Sequence, residues 1–235
     1  MSGPTAAPAD RAAAVREALR RLVAERGFHG TSMSAVATEA GVAAGTAYVH
    51  YRSKDELVIA AYLEVKRELG LVAARAVGAA SRSGDGEAGD GGSDAGDGDG
   101  NAGAAAGAGS AAGDGEPGWR SGLELEPAAA FRAMWLAIHG HLAENRDHAR
   151  FLEQVEASPY ALIAHERFLD VVDDPLLQAL EGTSIGRHLV ALPLPVLYVL
   201  ALGPAVRLAA AEATLPPKQL ALVAESCWRA VSTSP

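Results

Sequence analysis

Cysteine is all but missing from this chain: Cys227 stands alone among 235 residues. One thiol closes no internal disulfide, which agrees with a reducing compartment. Long apolar runs are missing too. The longest, Leu189–Gly203, has 15 residues and includes Pro193 and Pro195, too short to cross a bilayer. Met1–Asp10 lacks the cationic-then-apolar succession of a secretory leader. Lysine is scarce beside arginine, a bias that fits GC-rich codons and says little about function. Catalytic signatures are absent as well, with no G-x-S-x-G, no P-loop, no zinc-ligand run and no paired carboxylates in a polar setting. The expectation is a soluble, cytoplasmic protein of one or two domains. It is expected to have no membrane contact, no cofactor, no metal and no catalytic residue.

Positive charge is also in deficit. Twenty bases stand against 29 acids, for a net charge of -9, which argues against a polyanionic partner. The average conceals a strong segregation. Residues 81–118 hold 14 of the 26 glycines, eight acids and one base, Arg82, with no Val, Ile, Leu, Met or aromatic residue. Nothing apolar there offsets an ordering cost of roughly 1–2 kcal/mol per residue. The segment reads as a disordered, solvated spacer. Residues 1–80 have ten bases and eight acids, whereas 119–235 have nine and thirteen. Most of the acidity therefore belongs to a stretch without a core.

The first eighty residues read as four helices. Asp10 is a candidate N-cap for a helix over 11–26, with Val15, Leu19, Leu22 and Val23 on one face and Gly27 as its stop. Phe28 follows as a large apolar anchor. Ser32 caps a short second helix with Met33, Val36, Ala37 and Ala40 on its apolar face. Gly41 ends it, because the turn needs a residue that tolerates positive φ, and Val42 plugs the angle. A third helix runs from about Ala44 to His50. Ser53 and Glu56 make a capping box for a fourth. Helices two and three form a helix-turn-helix. The outward helix carries small residues that suit a major groove about 12 Å wide. Thr46 and Tyr48 can donate to phosphates or base edges. Lys54 and the free N–H groups at its helix start suit a phosphate.

Residues 18–57 resemble the DNA-binding domain of the TetR family of one-component transcriptional regulators. The matching residues are Gly27-Phe28-His29-Gly30-Thr31-Ser32-Met33, Val36-Ala37, Ala40-Gly41-Val42, Gly45-Thr46, Tyr48, His50-Tyr51, Ser53-Lys54 and Leu57. The resemblance implies phosphate contacts from Thr31, Ser32, Tyr48 and Lys54. It places Ala44, Gly45, Thr46 and His50 near bases or backbone, and Tyr51 in the core where the family usually has Phe. Two residues depart from the pattern. Ala43 replaces the usual Ser or Thr cap, at a cost of about 1 kcal/mol. Ala47 replaces a larger aliphatic residue.

The remaining half again shows helical periodicity. Pro127 opens a helix bearing Phe131, Met134, Trp135, Ile138 and Leu142. Asp147 caps the next, with Phe151, Leu152 and Val155. Pro159 starts a third, and helical character extends through Leu176, Leu177 and Leu180 to Gly182, with a break at Gly186. Two helices, 193–213 and 217–231, complete the chain. The first is apolar nearly all round, so it should be buried, most economically against a second subunit. Nothing alternates as strands do. The expected fold is all-α, an N-terminal three-helix helix-turn-helix domain plus a C-terminal helical ligand-binding and dimerisation domain. Its expected divisions are 1–56, a connecting helix over 57–80, the insert 81–118, and the effector-binding and dimerisation domain 119–235.

In the family such a final helix pair makes a four-helix bundle with its twin. The resemblance also implies a small-molecule pocket among the middle helices, with Met134, Trp135, Ile138, Phe151, Tyr160, Phe168 and Tyr198 as candidate lining. His139 and His141 do not suggest a metal, because positions two apart face different sides of a helix. Cys227 reads as a small buried hydrophobe. The leading expectation is a homodimeric repressor that binds double-stranded operator DNA and is released by an unidentified small-molecule effector. An enzyme with a helical C-terminal domain and an effector-independent DNA-architectural protein are the alternatives.

Overall fold

The computed structural model describes residues 8–84, 126–170 and 184–233, together with positions 175, 178 and 180. Ten helices are named among them. The first four are α1 (Pro8–Arg26), α2 (Met33–Glu39), α3 (Ala44–His50) and α4 (Lys54–Gly84). Then come α5 (Pro127–Glu144), α6 (Arg146–Glu156), α7 (Tyr160–Leu169), α8 (Ser184–Arg187), α9 (Leu194–Ala210) and α10 (Pro217–Val231). The described residues contain no strand, only an isolated bridge between Leu189 and Ser232. The fold is all-α. No described helix is long and apolar enough to cross a membrane.

Local chemistry accounts for the first four helices. α1 stops at Gly27, whose φ of 68° puts it in the left-handed region. The Ser32 hydroxyl accepts from the Ala35 N–H at 3.2 Å and caps α2. Gly41, at φ 66°, makes the turn into α3. α3 begins behind Ala43 with no side-chain cap, as its residue type dictates. At the start of α4 the Ser53 Oγ accepts from the Glu56 N–H at 3.1 Å. The Glu56 carboxylate reaches back to the Arg52 N–H at 2.7 Å, one residue beyond the usual partner in a capping box.

Val15, Leu19, Leu22 and Val23 of α1 are buried with Val36, Ala37, Ala47 and Leu57, and they make the core of the N-terminal head. Tyr51 belongs to that core, at 7% exposure. Its hydroxyl accepts from Arg16 at 2.6 Å. Below the head, α4 continues unbroken through residues 56 and 57. It buries Tyr62, Val65, Leu69 and Ala73 and packs along α5. α9 and α10 close over the other side of α5, and α6 lies between α1 and α9. The Trp135 indole N–H, buried on α5, donates to the Ala201 carbonyl of α9 at 3.0 Å.

Several boundaries differ from the expected ones. α1 is already helical at Pro8, so Asp10 sits in its first turn rather than at its cap; a proline is tolerated there because the first N–H groups have no helical partner. Asn145, not Asp147, occupies the cap position of α6, and Asp147 lies in the first turn. Gly186 breaks nothing, since the short α8 runs through it. The helix expected over 193–213 is α9, ending at Ala210, whereas α10 spans 217–231 as expected. Residues 81–84 of the spacer expected over 81–118 belong instead to the end of α4, and the rest, from residue 85, lies outside the described residues, as do Leu176, Leu177 and Gly182.

One ion network ties α1 to α4. Glu64 accepts from Arg16 at 2.6 Å and also from Arg20, whose side chain is 8% exposed. Burial opposes the Glu64 carboxylate charge. Hydrogen bonds and charge from Arg16 and Arg20 outweigh that effect and hold its pKa below the usual value. A depressed pKa gives stability that is complete above the unfolded carboxylate value, about 4.3, and is lost as pH falls through the folded value. Glu64→Gln should cost about 1–2 kcal/mol at pH 7, a figure discounted for the partial exposure of the pair. The gap between variant and wild type should narrow below about pH 4. Urea unfolding across that pH range checks both statements.

Candidate functional site

The outer surface of the head is formed by α3. Ala43, Ala44 and Gly45 are exposed at its start, Thr46 is half-buried and Ala47 is fully buried beneath it. Tyr48 is 51% exposed and Val49 is 81% exposed. His50, half-buried, ends the helix. The helix therefore presents a surface of small residues followed by a phenol and a methyl-rich side chain. Such a surface approaches a groove closely and suits hydrogen-bonding and thymine-methyl contacts. The outward Val49 was not among the expected site residues. Its apolar type resembles core in sequence, and only the register of α3 against α1 turns it to solvent.

Two expected phosphate contacts are engaged within the fold. Thr31 is 3% exposed, and its hydroxyl donates to the Gly27 carbonyl at 2.9 Å. It closes the α1–α2 turn and is not free to reach a phosphate. The Lys54 ammonium donates to the Phe28 carbonyl and lies 5.8 Å from the Phe28 ring centroid. Burial lowers its pKa from the ordinary lysine value, against a smaller opposing effect of Asp55. Ser32 is exposed. Its oxygen accepts from the Ala35 N–H at 3.2 Å, so the hydroxyl proton remains available.

Residues 15–61 match the sequence profile described as bacterial regulatory proteins, tetR family. These residues form a DNA-binding domain of the tetR-family type. Within that domain α2–α3 is the helix-turn-helix. Solved structures share the whole architecture. A TetR-family transcriptional regulator from Haemophilus influenzae RD is 23% identical with a TM-score of 0.58, covering 96% of this chain and 98% of its own. A putative tetR family regulator from Shewanella sp. PV-4 is 18% identical with a TM-score of 0.60, covering 95% and 99%. One from Marinobacter aquaeolei VT8 is 19% identical with a TM-score of 0.57, covering 95% and 96%. At these identities the likeness establishes the fold. No curated protein matches the chain.

The expected lining residues of an effector pocket separate into three places. Met134, Phe168 and Tyr198 line an apolar cavity of about 50 Å³, together with Phe131, Ile185, Leu197 and Leu202. Trp135, Ile138 and Phe151 are fully buried and line no described cavity; they are close-packed core. Tyr160 lies elsewhere, at the junction of head and body. Its ring is 4.8 Å from that of Phe28, and its hydroxyl donates to Asp55 at 2.7 Å. Burial, then the Asp55 carboxylate, pushes the Tyr160 pKa up to about 12. Phe28 also meets Phe151 edge-on at 6.4 Å. The anchor expected after α1 thus joins the head to α6 and α7.

A smaller cavity of about 20 Å³ adjoins the apolar one and shares Phe168, Leu194 and Tyr198 with it. Here the lining is mixed. Lys66 is 1% exposed, with its ammonium 3.2 Å from the Tyr198 ring centroid and 4.8 Å from that of Phe168. The Tyr62 and Tyr198 hydroxyls are buried without a hydrogen-bond partner, and burial raises the pKa of both. The sequence carried a usable signal for Lys66. It falls four residues after Tyr62 and three before Leu69, on the buried stripe of α4. His139 is buried and stacks on Trp135, with ring centroids 5.6 Å apart. Cys227 is buried at 4% exposure, and burial pushes its thiol pKa up.

Placement distinguishes Tyr48 from Lys54, two of the expected phosphate contacts. Tyr48→Ala removes an exposed ring and should change stability by less than about 0.5 kcal/mol. Lys54→Ala removes one of two donors to the Phe28 carbonyl, which keeps the Thr31 N–H at 3.3 Å, and uncovers the ring, so it should cost about 1 kcal/mol. Urea unfolding of the single variants measures the difference.

Proposed function

We propose that this regulator is a homodimeric repressor whose recognition helix, α3, reads a pseudo-palindromic operator, and that a small molecule releases it. The exposed face of α3 carries the DNA part of the reading. Tyr48, Ser32 and the free backbone N–H groups of α2 would take phosphates. Ala44, Gly45, Thr46 and His50, with Val49 added, would lie near bases. Thr31 would act by holding the turn, and Lys54 would use its remaining N–H groups on a phosphate beside Phe28.

Dimerisation rests on α9 and α10. Val196, Val199 and Leu200 on α9 and Leu222 on α10 are each roughly half exposed. Apolar side chains at this spacing form an unpartnered stripe, which a second copy would cover. Two recognition helices about 34–36 Å apart would then meet successive major grooves on one side of the duplex.

For the effector, the supporting observation is an apolar cavity that ends at two orphaned phenols. A pocket for a small organic ligand usually measures about 300–1,000 Å³, well above the volume enclosed here. Entry therefore requires α5 and α9 to part, a displacement that α6 and α4 would pass to α1 and the head. The ligand class that fits is largely apolar with one hydrogen-bonding group for Tyr62 and Tyr198. By linkage, operator DNA must weaken such a ligand by the same factor as the ligand weakens DNA.

Fluorescence anisotropy with DNA from the region upstream of the chain's own gene tests the DNA reading. Binding should be sequence-specific and fall at least about tenfold in the Thr46→Ala, Tyr48→Ala double variant, which corresponds to about 1.4 kcal/mol. No anisotropy increase with such DNA at low salt, by a folded dimer, would sink the proposal. The divisions 1–56, 57–80, 81–118 and 119–235 are kept as part of it, with the spacer acting only as an acidic tether. Deleting 84–116 should then leave the melting temperature unchanged and operator affinity equal or higher, most visibly at low salt. Weaker binding after deletion would assign the segment a structural role.

A further inference from the structure

We propose that Glu68, His141 and His148 form a binding site for one divalent cation of the zinc type. The three residues come from three helices. Glu68 lies midway along α4, His141 in the last turn of α5 and His148 in the first turn of α6. One candidate ligand atom from each lies within 4.8 Å of the other two. The Glu68 Oε2 is 3.5 Å from the His148 Nδ1 and 3.9 Å from the His141 Nε2. Both ring nitrogens are buried without a hydrogen-bond partner. Two lone-pair donors thus face one carboxylate oxygen, and neither is close enough to bond to it.

Two imidazoles and a carboxylate are a donor set suited to zinc, with a fourth position left for water. Tetrahedral bonds of about 2.0–2.1 Å need donors roughly 3.3 Å apart, so the present spacing requires only a modest contraction. His148 is 8% exposed, which limits competition from water. Neighbouring groups set conditions. The Arg20 charge acts on His148 and opposes a cation, whereas Asp147 favours one. The Asn145 Nδ2 lies 3.5 Å from the His141 Nδ1. Ligation through Nε2 leaves a proton on Nδ1, so the Asn145 amide must turn to offer its oxygen, as second partners of metal-bound histidines do.

Position suggests the consequence. α4 leaves the DNA-binding head, and α1 of the head rests on α6. An ion held by α4, α5 and α6 would fasten these helices at one relative setting and so fix the head on the body.

The test uses the full chain, freed of metal with a chelator and without DNA, so its outcome is independent of the operator reading. Zn²⁺ is titrated against a chromogenic chelator, and melting is followed with and without Zn²⁺. The expected result is one Zn²⁺ per chain and a higher melting temperature with the ion. Glu68→Gln and His148→Asn should each weaken binding by roughly tenfold or more, while Cys227→Ser leaves it unchanged. His141 is less buried, and His141→Asn serves where His148→Asn does not fold. Absence of stoichiometric binding, equal affinity in wild type and the Glu68 and His141 variants, or loss of binding only in Cys227→Ser would overturn the proposal.

Discussion

Everything in this molecule is arranged around one helix that belongs to both of its halves. α4 has 31 residues, about 45 Å of continuous helix. Its first turns close the helix-turn-helix head through Leu57 and Val58, and its middle supports α5 through Tyr62, Val65 and Leu69. Glu64 adds a charge that holds α1 through Arg16 and Arg20. A helix that long cannot bend locally without breaking hydrogen bonds or inserting a residue such as proline. Under the proposed release, movement of the body would reach the head as rotation or translation of α4.

Phe28 provides the second connection. It is held by Tyr160 and Phe151 on one side and by Lys54 on the other. The head thus contacts the body both along α4 and through this aromatic cluster. A change in the angle between α6 and α4 alters both contacts together. Under the proposed release, a ligand between α5 and α9 would act on the surface helix through these two contacts.

The helix-turn-helix was legible in the amino-acid order because its determinants are local. Gly27, Ser32, Gly41 and Ser53 each act within a few residues of their position, and each does in the fold what its type suggests. The final helix pair was legible through prolines at its starts and dense apolar content. The site residues were less legible. Thr31 and Lys54 have the right chemistry for phosphate, yet their partners, the Gly27 and Phe28 carbonyls, come from the end of α1. Tyr160 shared the aromatic character of pocket residues and went instead to the head–body junction. His139 and His141 do face different ways, as their spacing requires. What the spacing could not reveal is that His141 meets His148 across the α5–α6 corner, beside a glutamate more than seventy residues earlier.

By itself the sequence determined the helical class, the positions of the turns, the recognition helix with its missing cap at Ala43, and the segregation of acidic charge away from the head. These follow from backbone preference, capping and composition, which need no distant partner. Tertiary packing alone decided which polar groups stay available. It turned Val49 outward and Thr31 inward, set Lys66 among Tyr62, Phe168 and Tyr198, and left two phenols and three imidazole nitrogens buried without partners. The reason is physical: burial and hydrogen-bond satisfaction depend on which helices meet, and helix faces far apart in the chain meet only when the whole core closes.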